Sequence, residues 1–236
     1  MPIRPSTAAV LLTAAATTAQ ADIVEMHYTG LGSGQRVQIN AGNRAMSTFA
    51  GQLIHNVTSA DEGWRLGIGA QPFFCTDLYQ YASSSSKPYT ISSLTDVPDG
   101  QPMSAQTALA VKSLFASAGQ AQFDGNAPDD FAAAFQLALW EVVSDYDSQL
   151  GRSSLDIESG WFRARDAGGN SLSLAVQDRL GSFFDAVADG ERFHGEIIAL
   201  RSPSAQDQLA SIPTSGSIAS LCLGLALAYG RRRRDA

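Results

Sequence analysis

The stretch NAPDDFAAAFQLALWEVVSDYD, residues 126–147, constrains the fold more than any other in this chain. Pro128 suits the first turn of a helix, and Asp129 and Asp130 complement the positive end of its dipole. Phe131, Phe135, Ala138 and Val142 fall on one stripe of a 3.6-residue period, with Ala132, Leu139 and Val143 alongside. Asp130, Glu141, Ser144 and Asp145 sit elsewhere on the wheel, so Glu141 is expected to be solvated. Gln136 interrupts the second stripe and is expected to be buried among apolar neighbours. A buried carboxamide costs a few kcal/mol unless its N–H and C=O groups find partners. Two solutions are open: hydrogen bonds to a strand backbone, or a carboxamide that has reacted.

Around this helix the signals change with position. From Asp22 to about Tyr89, short β-branched and aromatic runs are separated by Gly, Asn and Ser, which predicts strands at IVEMHYTG, QRVQIN, STFAGQLIHNV, PFFCTDL and PYTISS. GLGSGQ reads as a turn between the first two, and ASSSSKP as a loop. A helix is expected over 104–119, from an N-cap at Ser104 to Gly119, and another over SLAVQDRLGSFFDAVADG. The strand FHGEIIALRS follows. This order predicts an α+β domain with a helical insertion between strands.

Both ends read as export signals. Residues 1–21 read as a signal peptide: Arg4 is the positive n-region, Ala8–Ala16 a short apolar h-region, and Ala19-Gln20-Ala21 a small-x-small cleavage site. Residues 212–236 combine a Pro/Ser/Gly turn, an apolar run and the four arginines Arg231–Arg234; residues 212–230 are expected to be just long enough to span a bilayer, with the arginines held on the cytoplasmic side. The domain itself is expected over 22–211. Five of the 16 basic residues and one of the 23 acidic ones lie in the two ends, which leaves a net charge of −11. Such a surface excludes nucleic acid and anionic lipid as partners.

Cys75 is then the lone cysteine of the exported part, since Cys222 lies in the apolar tail. A leftover cysteine outside the cytosol points to a reactive or intermolecular role. Its place after Phe73-Phe74 in a strand puts the thiol in or beside the core. A thiolate that attacks a glutamine side-chain carbonyl expels ammonia and leaves a thioester, which survives only where water is excluded.

FFCTDL, followed 61 residues later by FQLALWEV, resembles the bacterial thioester domain family. The matching residues are Phe74-Cys75 and Gln136-Leu137-Ala138-Leu139-Trp140, with Phe135 where many members have Thr. The resemblance covers roughly Ile23 to Arg201. It implies an internal thioester between Cys75 and Gln136, β-barrel-like strands with a helical subdomain, and covalent capture of an amine- or hydroxyl-bearing target on a surface protein or polysaccharide, without turnover and so not as an enzyme. Asp77 reads as a loop cap or as a group that polarises the incoming nucleophile, and Trp140 as a wall over the thioester or simple packing. The tail resembles PEP-CTERM sorting signals, processed by an exosortase, with Pro213-Thr214-Ser215 in place of Pro-Glu-Pro; it implies transient anchoring in the inner membrane and a final location at the cell surface or in the extracellular matrix.

Two other readings compete. One is a secreted cysteine hydrolase or acyltransferase with Cys75 as nucleophile, His194 as base and Asp185 as its acid. The other is a non-covalent surface protein whose Cys75 is buried and inert. No metal-ligand spacing and no phosphate loop is present, so neither a metal nor a cofactor is expected.

Overall fold

The computed structural model describes residues 22–119 and 125–212. The expected signal peptide and the segment from 213 onward, with Cys222, lie outside the described residues. Two long strands, β1 (Ile23–Ala41) and β2 (Arg44–Ala60), form an antiparallel hairpin. It turns on Gly42, whose φ of 61° fits the first position of a tight two-residue turn. The runs IVEMHYTG and QRVQIN are one strand, and GLGSGQ is no turn but lies within β1. Register shifts between Tyr28 and Gly30 and between Leu31 and Gly34 absorb the extra residues as bulges. Gly34 faces Gly51 across the pair, where a Cβ on either would meet the opposing backbone at 2.3 Å. The glycines permit this close crossing.

The other strands among the described residues are β3 (Gly69–Cys75), β4 (Lys87–Ser92), β5 (Phe162–Asp166), β6 (Glu196–Arg201) and β7 (Gln208–Ile212). The sheet order is β2-β3-β7-β6-β4-β1-β5, all antiparallel, and the β1–β2 pairing closes the first six into a ring. Val24, Met26, Val57, Phe73, Tyr89, Ile198, Leu200, Ala210 and Ile212 come from all six ring strands and form one apolar cluster, which is the barrel interior. Strands β5 and β7 were not expected from sequence. β7 runs beyond Arg201 and includes Ile212, so the barrel extends one residue into the segment assigned to the tail.

Three helices, α1 (Ala105–Ala118), α2 (Asp129–Asp145) and α3 (Leu174–Asp189), lie between β4 and β6 in the chain. Their ends follow local chemistry. Ser104 accepts from Thr107 N at 3.0 Å and Ser173 from Val176 N at 3.4 Å, and Gly190 ends α3 in the left-handed conformation. Asp130 pairs with Arg179 of α3 at 2.8 Å, and Asp129 accepts from Gly34 N at 3.1 Å. The helices share a larger apolar cluster with Val37, Ile39, Ala50, Leu53, Phe74 and Leu209 on the outer face of the barrel. The α+β architecture with barrel-like strands and an inserted helical part is thus the one present. Among the described residues no helix is long and apolar enough to cross a membrane.

Inside this frame His55 is fully buried between the Tyr28 and Phe73 rings, and neither ring nitrogen has a hydrogen-bond partner. Burial lowers its pKa to about 4, an effect that the nearby Leu53 backbone offsets only in part. A folded pKa below the unfolded value means that the folded state binds fewer protons, so stability is lost as pH falls from about 6.5 to 4. His55 is expected to take about 3 kcal/mol from the stability over that window, read by urea unfolding as the change in the difference between the wild type and His55→Phe, because buried acids elsewhere in the fold titrate with the opposite sign. Parallel pH profiles for the two proteins would assign none of the acid loss to His55.

Candidate functional site

α2 is buried on every side from Phe131 to Val142, as befits a helix that is apolar around most of its circumference. Gln136 is fully buried within it, and it meets Cys75 at the end of β3. The reason lies in the ladder. The β2–β3 pairing ends at Leu53↔Phe73. Thr76 N donates toward β7, to Asp207 O at 3.1 Å. Backbone groups alternate sides along a strand, so those of Cys75 point the other way, to the side that β2 has left. Gln136 fills the place of the missing strand: Cys75 N–H donates to Gln136 Oε1 at 3.1 Å, and Gln136 Nε2 donates to Cys75 O at 2.8 Å. The Cys75 thiol lies 3.6 Å from the same Oε1.

Cys75 is buried and makes no disulfide. Burial, reinforced by the Asp77 carboxylate, pushes the thiol pKa far above its ordinary value, and the Trp140 indole beside the sulfur opposes this only weakly. Trp140 Nε1 falls short of hydrogen-bond geometry with any partner, so it acts on the sulfur as a dipole. Trp140 is one helical turn beyond Gln136, on the same face, and packs on Phe162 at 6.0 Å between centroids. Phe74 packs on Phe135 at 4.6 Å. Phe135, where many members of the thioester family have Thr, is therefore part of an apolar wall. Ala138 is also fully buried.

Asp77 caps the loop after β3: its Oδ1 accepts from Tyr79 N at 2.7 Å and Gln80 N at 3.1 Å. Its other oxygen, Oδ2, is buried and has no partner. Beyond it opens a cleft of about 590 Å³ lined by Thr76–Gln80, Pro98–Gln101, Val143, Ser144 and Trp161. Trp140 stands between the pair and this cleft along α2, because Gln136, Trp140 and Ser144 succeed one another at four-residue intervals. The cleft therefore begins one residue past Cys75 without exposing the pair.

His194 and Asp185 are not brought to Cys75. His194 lies on the exposed segment before β6, and the exposed Asp185 binds Arg152 at 2.9 Å. Glu141 corrects the expectation of a solvated side chain: it is fully buried, and its Oε1 accepts from Asp156 N at 2.8 Å while Oε2 has no partner. Burial raises its pKa to about 8, so the acid is largely protonated at neutral pH. Asp145 accepts from Trp161 N at 2.8 Å and Phe162 N at 3.0 Å. Both carboxyl groups thus hold the loop that carries Trp161 to the cleft. Asp207, under the cleft, accepts from Ser202 N and Asp99 N, and burial raises its pKa to about 6. Sequence reasoning missed Glu141 and Asp207 because their partners are loop backbone amides distant in the chain. Among the described residues no cluster of His, Cys, Asp and Glu fits a metal ion. Comparison with protein-family models, with curated proteins and with solved structures returns no match, so the likeness to the thioester family rests on the two motifs.

Proposed function

We propose that Cys75 and Gln136 form an internal thioester, and that the protein uses it once to acylate a target at a cell surface or in an extracellular matrix. The carrying observation is that the Gln136 carboxamide is docked on the backbone of the same residue whose thiol lies 3.6 Å from its oxygen. Sulfur adds to Gln136 Cδ, and charge develops on Oε1, where the Cys75 N–H already points and acts as an oxyanion donor. The thiol proton passes to the departing nitrogen, the C–N bond breaks, and ammonia leaves. Cys75 O, which accepts from Nε2, holds that nitrogen in place for departure. Burial by Trp140, Phe74 and Phe135 keeps water from the product.

An amine or hydroxyl that reaches the acyl carbon displaces the Cys75 sulfur, forms an amide or ester at Gln136, and leaves a free thiol. This is nucleophilic acyl chemistry without regeneration. The export signals read in residues 1–21 and 212–236 support a role outside the cell, with exosortase-like processing and a surface protein or polysaccharide as target.

The test is intact mass before and after methylamine, set beside Cys75→Ala produced in the same way. The expected protein is one ammonia lighter than its sequence, gains one methylamine on treatment, and exposes a thiol only then. The variant shows neither change. A mass equal to the sequence, with a thiol that titrates on denaturation and no adduct, replaces this reading with that of an inert buried cysteine.

A further inference from the structure

The cleft beside Cys75 carries more unmet hydrogen-bonding capacity than packing explains. Thr76 Oγ1, Asp77 Oδ2 and Gln80 Oε1 are all buried atoms without partners, and all belong to its wall. Thr76 and Asp77 are only 2% and 5% exposed. A buried acceptor left unpaired is costly, so a concentration of three in one wall marks a place where donors arrive from outside. The rim supplies the complementary apolar surface: Tyr79 and Trp161, 45% and 39% exposed, meet edge to face at 6.3 Å. The volume lies within the range of small-molecule sites.

We propose that this cleft binds a neutral saccharide, with the C–H faces of its rings against Tyr79 and Trp161 and its hydroxyls donating to Thr76, Asp77 and Gln80. The alternative occupant with donors only is an alkylammonium. The lining favours the sugar. Gln101 and Ser144 add neutral groups that both donate and accept, which suits hydroxyls. Asp99 is occupied by Arg201, which leaves Asp77 as the unpaired carboxylate of the wall. A carboxylate there holds an entering ammonium in its charged form, whose nitrogen has no lone pair for attack, whereas a hydroxyl keeps its lone pairs while it donates. As an acceptor site for acyl transfer, this inference rests on the thioester proposed above; as a binding site it does not. Acyl transfer from this cleft requires the Trp140 side chain that stands between it and the pair to move aside; the step then makes one C–O bond at Gln136 Cδ and breaks the C–S bond, and the hydroxyl proton ends on the Cys75 sulfur.

The experiment is saturation-transfer NMR on the full chain with maltotriose, cellotriose and chitotriose, and with 1,5-diaminopentane as the amine probe. Binding of at least one trisaccharide is expected with Kd on the order of 1 mM, weakened at least tenfold in Trp161→Ala and in Gln80→Leu, each shown to be folded by its thermal transition. Cys75→Ala should bind the sugar as the wild type does, which separates failure of the thioester from failure of the cleft. Binding of the diamine alone, binding of none of the probes, or sugar binding unchanged in both folded cleft variants overturns the proposal.

Discussion

Gln136→Ala is expected to be about 2–4 kcal/mol less stable than Cys75→Ala, although the two residues face each other. The asymmetry follows from where the hydrogen bonds go. Gln136 binds the backbone N–H and C=O of Cys75, not its side chain. Cys75→Ala keeps both bonds and leaves a small void, at about 1 kcal/mol. Gln136→Ala leaves two buried backbone groups without partners and a larger cavity beside α2, at about 3–5 kcal/mol. Neither variant can form the cross-link, so the comparison between them is free of its contribution. Urea midpoints measured side by side decide it: coincident curves remove the structural role of the carboxamide. If the curves separate as expected, Cys75→Ala is the clean chemical knockout, and loss of function in Gln136→Ala mixes chemistry with folding.

Glu141→Gln is expected to abolish an alkaline loss of stability. The folded pKa of Glu141, about 8, lies above its unfolded value of 4.5, so the folded state binds the extra proton between them. The associated stability is fully present below pH 4.5 and is lost as pH rises through 8. Between pH 7 and 9 the loss is about 1.4 kcal/mol, one pKa unit of differential protonation. His55 contributes little there, because only the minor protonated fraction of the unfolded chain above its value of 6.5 still titrates. The measurement belongs in the Cys75→Ala background, which removes the thiol of the unfolded chain from the same pH range. Glutamine keeps an acceptor for Asp156 N and cannot ionise. Identical slopes with Glu and Gln at this position would mean that the buried acid is solvated once charged.

The particular residues show what was legible in the sequence. Helix limits were, because Ser104, Ser173, Gly119 and Gly190 act within one turn of their own positions. The burial of Gln136 was, because a 3.6-residue period reports the neighbours of each position on the wheel. Glu141 was misread for the complementary reason. The period places it on the polar side, but that side is covered by the loop whose Asp156 amide meets it, and no local pattern encodes a contact made by a distant segment. β5 shows the same limit in a strand. Phe162 and Ala164 are buried and alternate with the exposed Arg163 and Arg165, yet five residues with two arginines do not announce a strand until β1 offers its edge. The union of two runs into β1 depended on Gly51 opposite Gly34, a relation between strands that neither carries alone. At the site, the motifs named Cys75 and Gln136; the end of the β2–β3 ladder, which explains why the carboxamide turns to the cysteine backbone, is a property of the assembled sheet.

β7 sets a direction for the whole molecule. Gln208 lies opposite Cys75, and the strand runs from there to Ile212, opposite Glu196. At about 3.3 Å per residue, Ile212 is some 13 Å farther along the strand, away from the cysteine. Ile212, the last of the described residues, therefore lies toward the pole opposite the cleft. Were the chain tethered past that residue, the thioester proposed above would sit at the end of the barrel away from the anchor and face the medium.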